Sequence, residues 1–203
     1  MLRMKETMTF EDFYLIEEVT DEMIEFFDKR TANHIGLVQK YCQKIDALKM
    51  DGLEDLIKKA EVHDASKLKE PEKTPYVYVT WDYKCKDDGT DFSPPSNIKD
   101  EMSKATKHHV KNNAHHPEFH SPKEVGLINR EDRDKAPDEM VDATKMDKLS
   151  IAEMVADFCA MSKEKGNTPK EWVDKNVGVR WEFTDEQKKL IYELIDEVWD
   201  NEI

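Results

Sequence analysis

Between Asp21 and Leu48 the positions Ile24, Phe27, Thr31, His34, Val38, Tyr41 and Ile45 recur at alternating steps of three and four. That spacing lays all of them along one stripe of an α-helix. A helix so long cannot bury its stripe alone, so the rest of the chain must supply a bundle around it. The stripe also carries an imidazole: His34 faces inward. Asp51-Gly52 is expected to break the helix.

A second helix is expected from about Leu53, with Leu53, Leu56, Ile57 and Ala60 inward and His63-Asp64 at its far end. Glu70 to Pro95 reads differently. Its prolines, its Asp87-Asp88-Gly89 turn and the β-branched, aromatic run "YVYVTWDY" suggest an irregular loop with a short hairpin, placed as a candidate lid. Ser96 starts a third helix, with Ile98, Met102, Ala105 and His109 on one face. Pro117 disfavours helical geometry at His116, which ends that helix near Asn112 to His115. The stretch 121–137 reads as loop with at most a short helix. From about Asp138 to Lys165 the apolar residues suggest one long or broken helix, stopped by Gly166-Asn167. Thr168-Pro-Lys-Glu171 and Thr184-Asp-Glu-Gln187 are capping signatures for two late helices. The expected fold class is all-α: a single domain over 1–203, a bundle of about six to eight helices, with the loop at about 70–95 and C-terminal helices over 168–203.

The chain has 203 residues, enough for one sizeable core, and a net charge of −14. That charge argues against generic nucleic-acid binding, which rests on releasing phosphate counterions. It leaves room for a small phosphorylated ligand, because a bound cation dominates its local field. Cys42, Cys85 and Cys159 are odd in number and show no CxxC spacing, so they read as free thiols of a reducing compartment. Charges interrupt every apolar run of the first residues, and no stretch approaches the ~18 apolar residues of a membrane span. A cytoplasmic location is expected.

Five of the seven histidines, His108, His109, His115, His116 and His120, crowd into "KHHVKNNAHHPEFH". His34, His63-Asp64 and His109 all lie on inward faces, as does Asp157 in "IAEMVADFCAM". Buried imidazoles and carboxylates cost several kcal/mol unless paired or bound to an ion, and donors converging from separate helices satisfy one another by sharing a divalent metal. Asp147 is an alternative to Asp157 if the helix breaks near Ser150. A seven-residue step from His109 favours His116 as the further ligand, and Pro117 leaves His115 equally open. His108 and His120 read as surface or substrate-facing groups. Asn112 and Asn113 read as orienting partners or ordinary caps. Trp81, Tyr76 and Tyr78 read as core packing or as a stacking surface for a base.

The order His34, His63-Asp64 in "VHDASKL", then Asp157 in "MVADF" resembles the HD-domain superfamily of metal-dependent phosphohydrolases. The "HDASK" segment is similar to that superfamily's HD-x-x-K form. The "HH…HHPE" segment looks like the additional histidines of its two-metal members, and resembles a group of bacterial and phage proteins sharing an H…NxHHPE element. The glycine-tyrosine-proline element of HD-GYP proteins is absent, so a cyclic-dinucleotide substrate is not implied. The resemblance implies one or two divalent ions (Mn, Fe, Co, Ni or Zn, with Mg also admissible). One would be held by His34, His63, Asp64 and Asp157, the second by Asp64, His109 and His115 or His116. It also implies attack of metal-activated water on a nucleotide or related phosphoester. Asp64, Lys67 and Glu118 would be the catalytic groups, Lys67 and Arg30 the phosphate-binding cations. Neutral histidine ligands imply activity falling below about pH 6. Two other readings stand beside it: a diiron oxygenase built on the same six-ligand set, and a ligand- or protein-binding protein without catalysis. A small phosphorylated substrate is the expected partner, and a homodimer is left open.

Overall fold

The long stripe becomes α1 (Asp21–Ala47), whose buried residues are Met23, Phe27, Thr31, His34, Val38, Tyr41, Cys42 and Ile45. Thr20 starts it, its hydroxyl accepting from the Met23 amide at 3.2 Å, a cap worth ~1 kcal/mol. The computed structural model describes residues 19–123 and 138–199. The opening segment and most of the 121–137 stretch therefore lie outside the described residues. Among the described residues the chain folds into eight α-helices and two short strands, an all-α architecture. No helix among them is long and apolar enough to cross a membrane.

After α1 come a short α2 (Leu56–Ala60), a 3-10 turn (Ala65–Leu68) and α3 (Lys73–Asp87). Then follow α4 (Ser96–Asn112), α5 (Pro117–His120), β1 (Val141–Asp142) and α6 (Lys148–Lys165). The chain closes with α7 (Pro169–Asn176), β2 (Trp181–Glu182) and α8 (Asp185–Val198). The strands pair in parallel, Val141 with Trp181 and Asp142 with Glu182. Both expected capping boxes form, Thr168 with Glu171 and Thr184 with Gln187. Gly166 takes the left-handed conformation (φ 68°) that ends α6, as the Gly-Asn stop implied.

Two expectations need correction. The stretch 70–95 is not an irregular lid: its middle is α3, which packs on α1 and α4 as a member of the bundle. Its β-branched and aromatic run is buried almost all round, at Val77, Tyr78, Val79, Thr80, Asp82 and Cys85, so tertiary packing overrides local strand propensity. Pro75 sits in the first turn, where a missing amide costs nothing. The helix expected over 138–165 starts only at Lys148, with β1 before it. Asp147 is its cap, accepting from the Ser150 amide at 2.7 Å.

Two apolar clusters hold the bundle. The larger joins α1, α6 and α8 through Val38, Tyr41, Cys42, Ile45, Met154, Val155, Cys159, Ile191 and Leu194. The smaller joins α1, α3 and α4 through Met23, Phe27, Val77, Tyr78, Ile98 and Met102. Each such side chain contributes ~1.5–3 kcal/mol of burial. On α1 the first cluster begins at Val38 and the second ends at Phe27. Between them, on the same stripe, are Thr31 and His34. The seam between the cores is polar.

Candidate metal centre

Five pieces of chain meet at that seam. α1 presents His34. The turn after α2 presents His63 and Asp64, the latter at φ 57°, a left-handed conformation that aspartate tolerates better than most residues. The end of α4 presents His109. The turn after it, closed by the His116 amide on the Asn113 carbonyl at 3.1 Å, presents His115 and His116, ahead of Pro117, which starts α5. α6 presents Asp157.

The Nε2 atoms point inward around Asp64. Asp64 Oδ2 lies 3.8 Å from His34 Nε2 and 3.8 Å from His63 Nε2. Asp64 Oδ1 lies 3.1 Å from His109 Nε2 and 3.7 Å from His115 Nε2. His34 Nε2 is 3.1 Å from Asp157 Oδ1. Three overlapping triplets bring their ligand atoms within 4.8 Å of one another: His34, His63 and Asp64; His63, His115 and Asp157; His109, His115 and His116. Asp64 thus turns Oδ2 to one half of the cluster and Oδ1 to the other, and the triplet His63, His115 and Asp157 joins the two halves.

The Nδ1 atoms of His34, His63, His109 and His115 point outward, each to a glutamate. His34 Nδ1 is 3.3 Å from Glu164. His63 Nδ1 is 2.9 Å from Glu153, which also lies 3.5 Å from His115 Nδ1. His109 Nδ1 is 2.9 Å from Glu72, whose other oxygen takes His108 Nδ1 at 2.6 Å. A carboxylate only accepts, so the hydrogen bonds of His34, His63 and His109 place a proton on Nδ1. On His63 and His109, whose Nε2 atoms have no hydrogen-bond partner, the lone pair faces the interior, whereas His34 also carries a proton on Nε2 against Asp157. Carboxylates backing histidines in this way characterise metal sites.

The fit to a cation can be tested on the interior atoms. His63 Nε2, Asp64 Oδ1, His109 Nε2 and His116 Nε2 are buried without a hydrogen-bond partner. Left so, each costs roughly 1–3 kcal/mol. Asp64, Asp157, Glu72, Glu153 and Glu164 outnumber Lys59, Lys67 and Arg30 around the cluster, so the surroundings favour positive charge. Mixed imidazole and carboxylate donors suit a divalent transition metal. These residues could hold one.

Electrostatics agree with the geometry. Burial opposes charge on His34, but Asp157 and Glu164 outweigh it and raise its pKa to about 9. Burial likewise opposes ionisation of Asp64, yet Lys67 and the neighbouring histidines hold its carboxyl well below the usual range. Burial and neighbouring imidazoles push His116 down, and burial lowers His115, which keeps both neutral and able to ligate.

The opening lies where exposure rises, at Asp157 (15%), Lys67 (21%) and Arg30 (37%). Lys67 Nζ donates to Asp64 Oδ2 at 2.6 Å and lies 5.2 Å from the Tyr76 ring. Arg30 comes no closer than its 4.0 Å contact with Glu164, so it reaches the rim rather than the donors. A groove of about 410 Å³ along α1, lined by Thr31, Ile35 and Gln39 and bounded by Leu68, includes none of the cluster's residues.

Of the residues picked from the sequence, His34, His63, Asp64, His109, His115, His116 and Asp157 converge. Glu118 does not join them: buried, it accepts from Trp181 Nε1 at 3.1 Å and Arg180 at 3.3 Å, anchoring α5 to β2. His120 is 2.9 Å from the Ala114 carbonyl. Asn112 caps back onto the His108 carbonyl, whereas Asn113 reaches Ser66 Oγ and His109. Tyr78 is core, and Trp81 packs edge-on against Phe26. Glu72, Glu153 and Glu164 were missed. Glu153 had a signal: it precedes Asp157 by one turn inside an apolar run.

No curated protein and no solved structure matches the chain. The model of one family, described as a family of unknown function (DUF5662), matches residues 23–197, taking in every element of the bundle and every converging residue, and the chain belongs to that family.

Proposed function

We propose that the protein is a metal-dependent phosphohydrolase of the HD type, acting on a nucleotide or a related small phosphorylated metabolite. The observation that carries this reading is the set of inward, unpartnered Nε2 and carboxylate atoms around Asp64, with Lys67 one hydrogen bond away at the opening. The Oδ2 half, with His34, His63 and Asp157, would hold one ion; the Oδ1 half, with His109, His115 and His116, would hold a second. Borderline donors favour Mn, Fe, Co, Ni or Zn over Mg. The chemistry supplied by such an ion is Lewis acidity, which acidifies water and polarises a phosphoryl oxygen.

The chain's own residues do the rest. Asp64 offers one oxygen to each half and so sets their separation. The three backing glutamates keep the protons on Nδ1. Lys67 and Arg30 are the cations at the opening available to a phosphoryl group, and Lys67 is placed to offset charge developing on its oxygens. The buried walls exclude bulk water. Glu118, tied to β2, takes no part in proton transfer.

Hydrolysis of nucleotides, phosphomonoesters and phosphodiesters with Mn²⁺, Co²⁺, Fe²⁺ or Mg²⁺, followed as phosphate release from monoesters and as release of the alcohol and monoester products from diesters, tests the reading. Metal-dependent turnover that chelation stops and His63→Ala abolishes is expected. Tight metal binding with no turnover on the whole panel, or oxygen consumption by the iron form, overturns it.

A further inference from the structure

Glu153 stands mid-helix in α6, buried, one turn before Asp157. One of its oxygens, Oε1, faces both His63 Nδ1 at 2.9 Å and His115 Nδ1 at 3.5 Å. Those rings belong to opposite halves of the cluster, and their centroids are 4.3 Å apart. The other oxygen faces Lys59 Nζ at 3.4 Å, and Lys59 is itself tied to Ser150 Oγ at 2.8 Å. The carboxylate is therefore held from behind by an ammonium and presents a single acceptor to two imidazoles. Glu164 differs, since it backs His34 alone among the converging histidines, and so does Glu72, which backs His109.

Resting on the reading that these side chains hold two ions, we propose that Glu153 is the positioning residue that couples the two halves. With one oxygen receiving both Nδ1–H groups, the lone pairs of His63 and His115 are aimed together. A tilt of either ring re-aims the carboxylate and with it the other ring. Loss of Glu153 then weakens both ions, where loss of Glu164 weakens one.

Stripped of metal and titrated with Co²⁺, followed by calorimetry and by visible absorption, the intact protein is expected to take up two ions. Glu153→Gln should bind both roughly 10–100-fold more weakly, with altered absorption bands for both. Glu164→Gln should weaken one ion and leave the bands of the other. A variant-free measurement guards against misfolding of Glu153→Gln: ¹⁵N imidazole spectra of the native protein should show His63 and His115 both protonated at Nδ1. Weakening of only one ion in Glu153→Gln, a proton on Nε2 of either ring, or unchanged affinities overturns the coupling. Uptake of one ion overturns the coupling while a one-ion hydrolase stands. Uptake of none overturns both.

Discussion

Asp64 combines two demands that seldom meet in one residue. Its backbone is left-handed and its side chain supplies an oxygen to each half of the cluster. Outside glycine, that conformation costs roughly 1–2 kcal/mol, with asparagine and aspartate the most tolerant. Asp64→Asn keeps the backbone preference and loses the charge. It is expected to lower the melting temperature, because the buried Lys67 loses its partner at 2.6 Å, and Co²⁺ affinity should fall by more than the ~10–100-fold typical of a lost backing partner. Asp64→Glu keeps the charge and loses the preference, so it should lower the melting temperature as well. A melting temperature for Asp64→Glu equal to that of the native protein would show that the backbone imposes nothing at this position. His34 and Asp157 were legible because a polar group in phase with apolar neighbours stands out. Glu153 carried the same signal inside its apolar run, whereas Glu72 and Glu164 did not stand out, because the chain holds 45 acidic residues and their partners are remote in sequence.

The helices differ in how far local chemistry explains them. α8 is announced by its cap, and Gln187 does more than close the box. Its amide also donates to the carbonyls of Ala143, Thr144 and Met146 at 3.3, 3.2 and 2.8 Å, fastening the start of α8 to the turn before α6. Thr184→Ala should cost ~1 kcal/mol. Gln187→Ala should cost somewhat more, about 1–2 kcal/mol, since it also strands carbonyls. Urea denaturation measures both, with metal content unchanged in each. α3 lies at the other extreme. Ion pairs from Lys84 to Asp88 and Lys86 to Asp82 support it at i,i+4 spacing. Yet burial on nearly every side erases the stripe by which α1 and α4 declare themselves. A helix such as α3, buried on most of its circumference, shows no single apolar face in its sequence.

For the molecule as a whole, His34 sets a pH dependence with a definite sign. Its folded pKa is raised to about 9 against an ordinary 6.5. Stability from its charged form is therefore complete below about pH 6.5 and lost as pH rises through about 9. The loss is up to about 3 kcal/mol, with the Asp157 partner part of the same interaction and counted once. An ion must displace that proton, so metal affinity moves the other way and strengthens over the same window. Melting temperatures with and without Co²⁺, taken at about pH 6.5 and about pH 9, should diverge as pH rises; parallel curves would refute the assignment of the proton to His34. The pairing of β1 with β2 bears on how such an ion is received. It closes a loop around α6, so the helix bearing Glu153 and Asp157 is clamped before its first turn and again beyond α7. Were an ion held there, the carboxylate floor would act as an anvil, and accommodation to ions of different radius would fall to the non-helical stretch carrying His115 and His116.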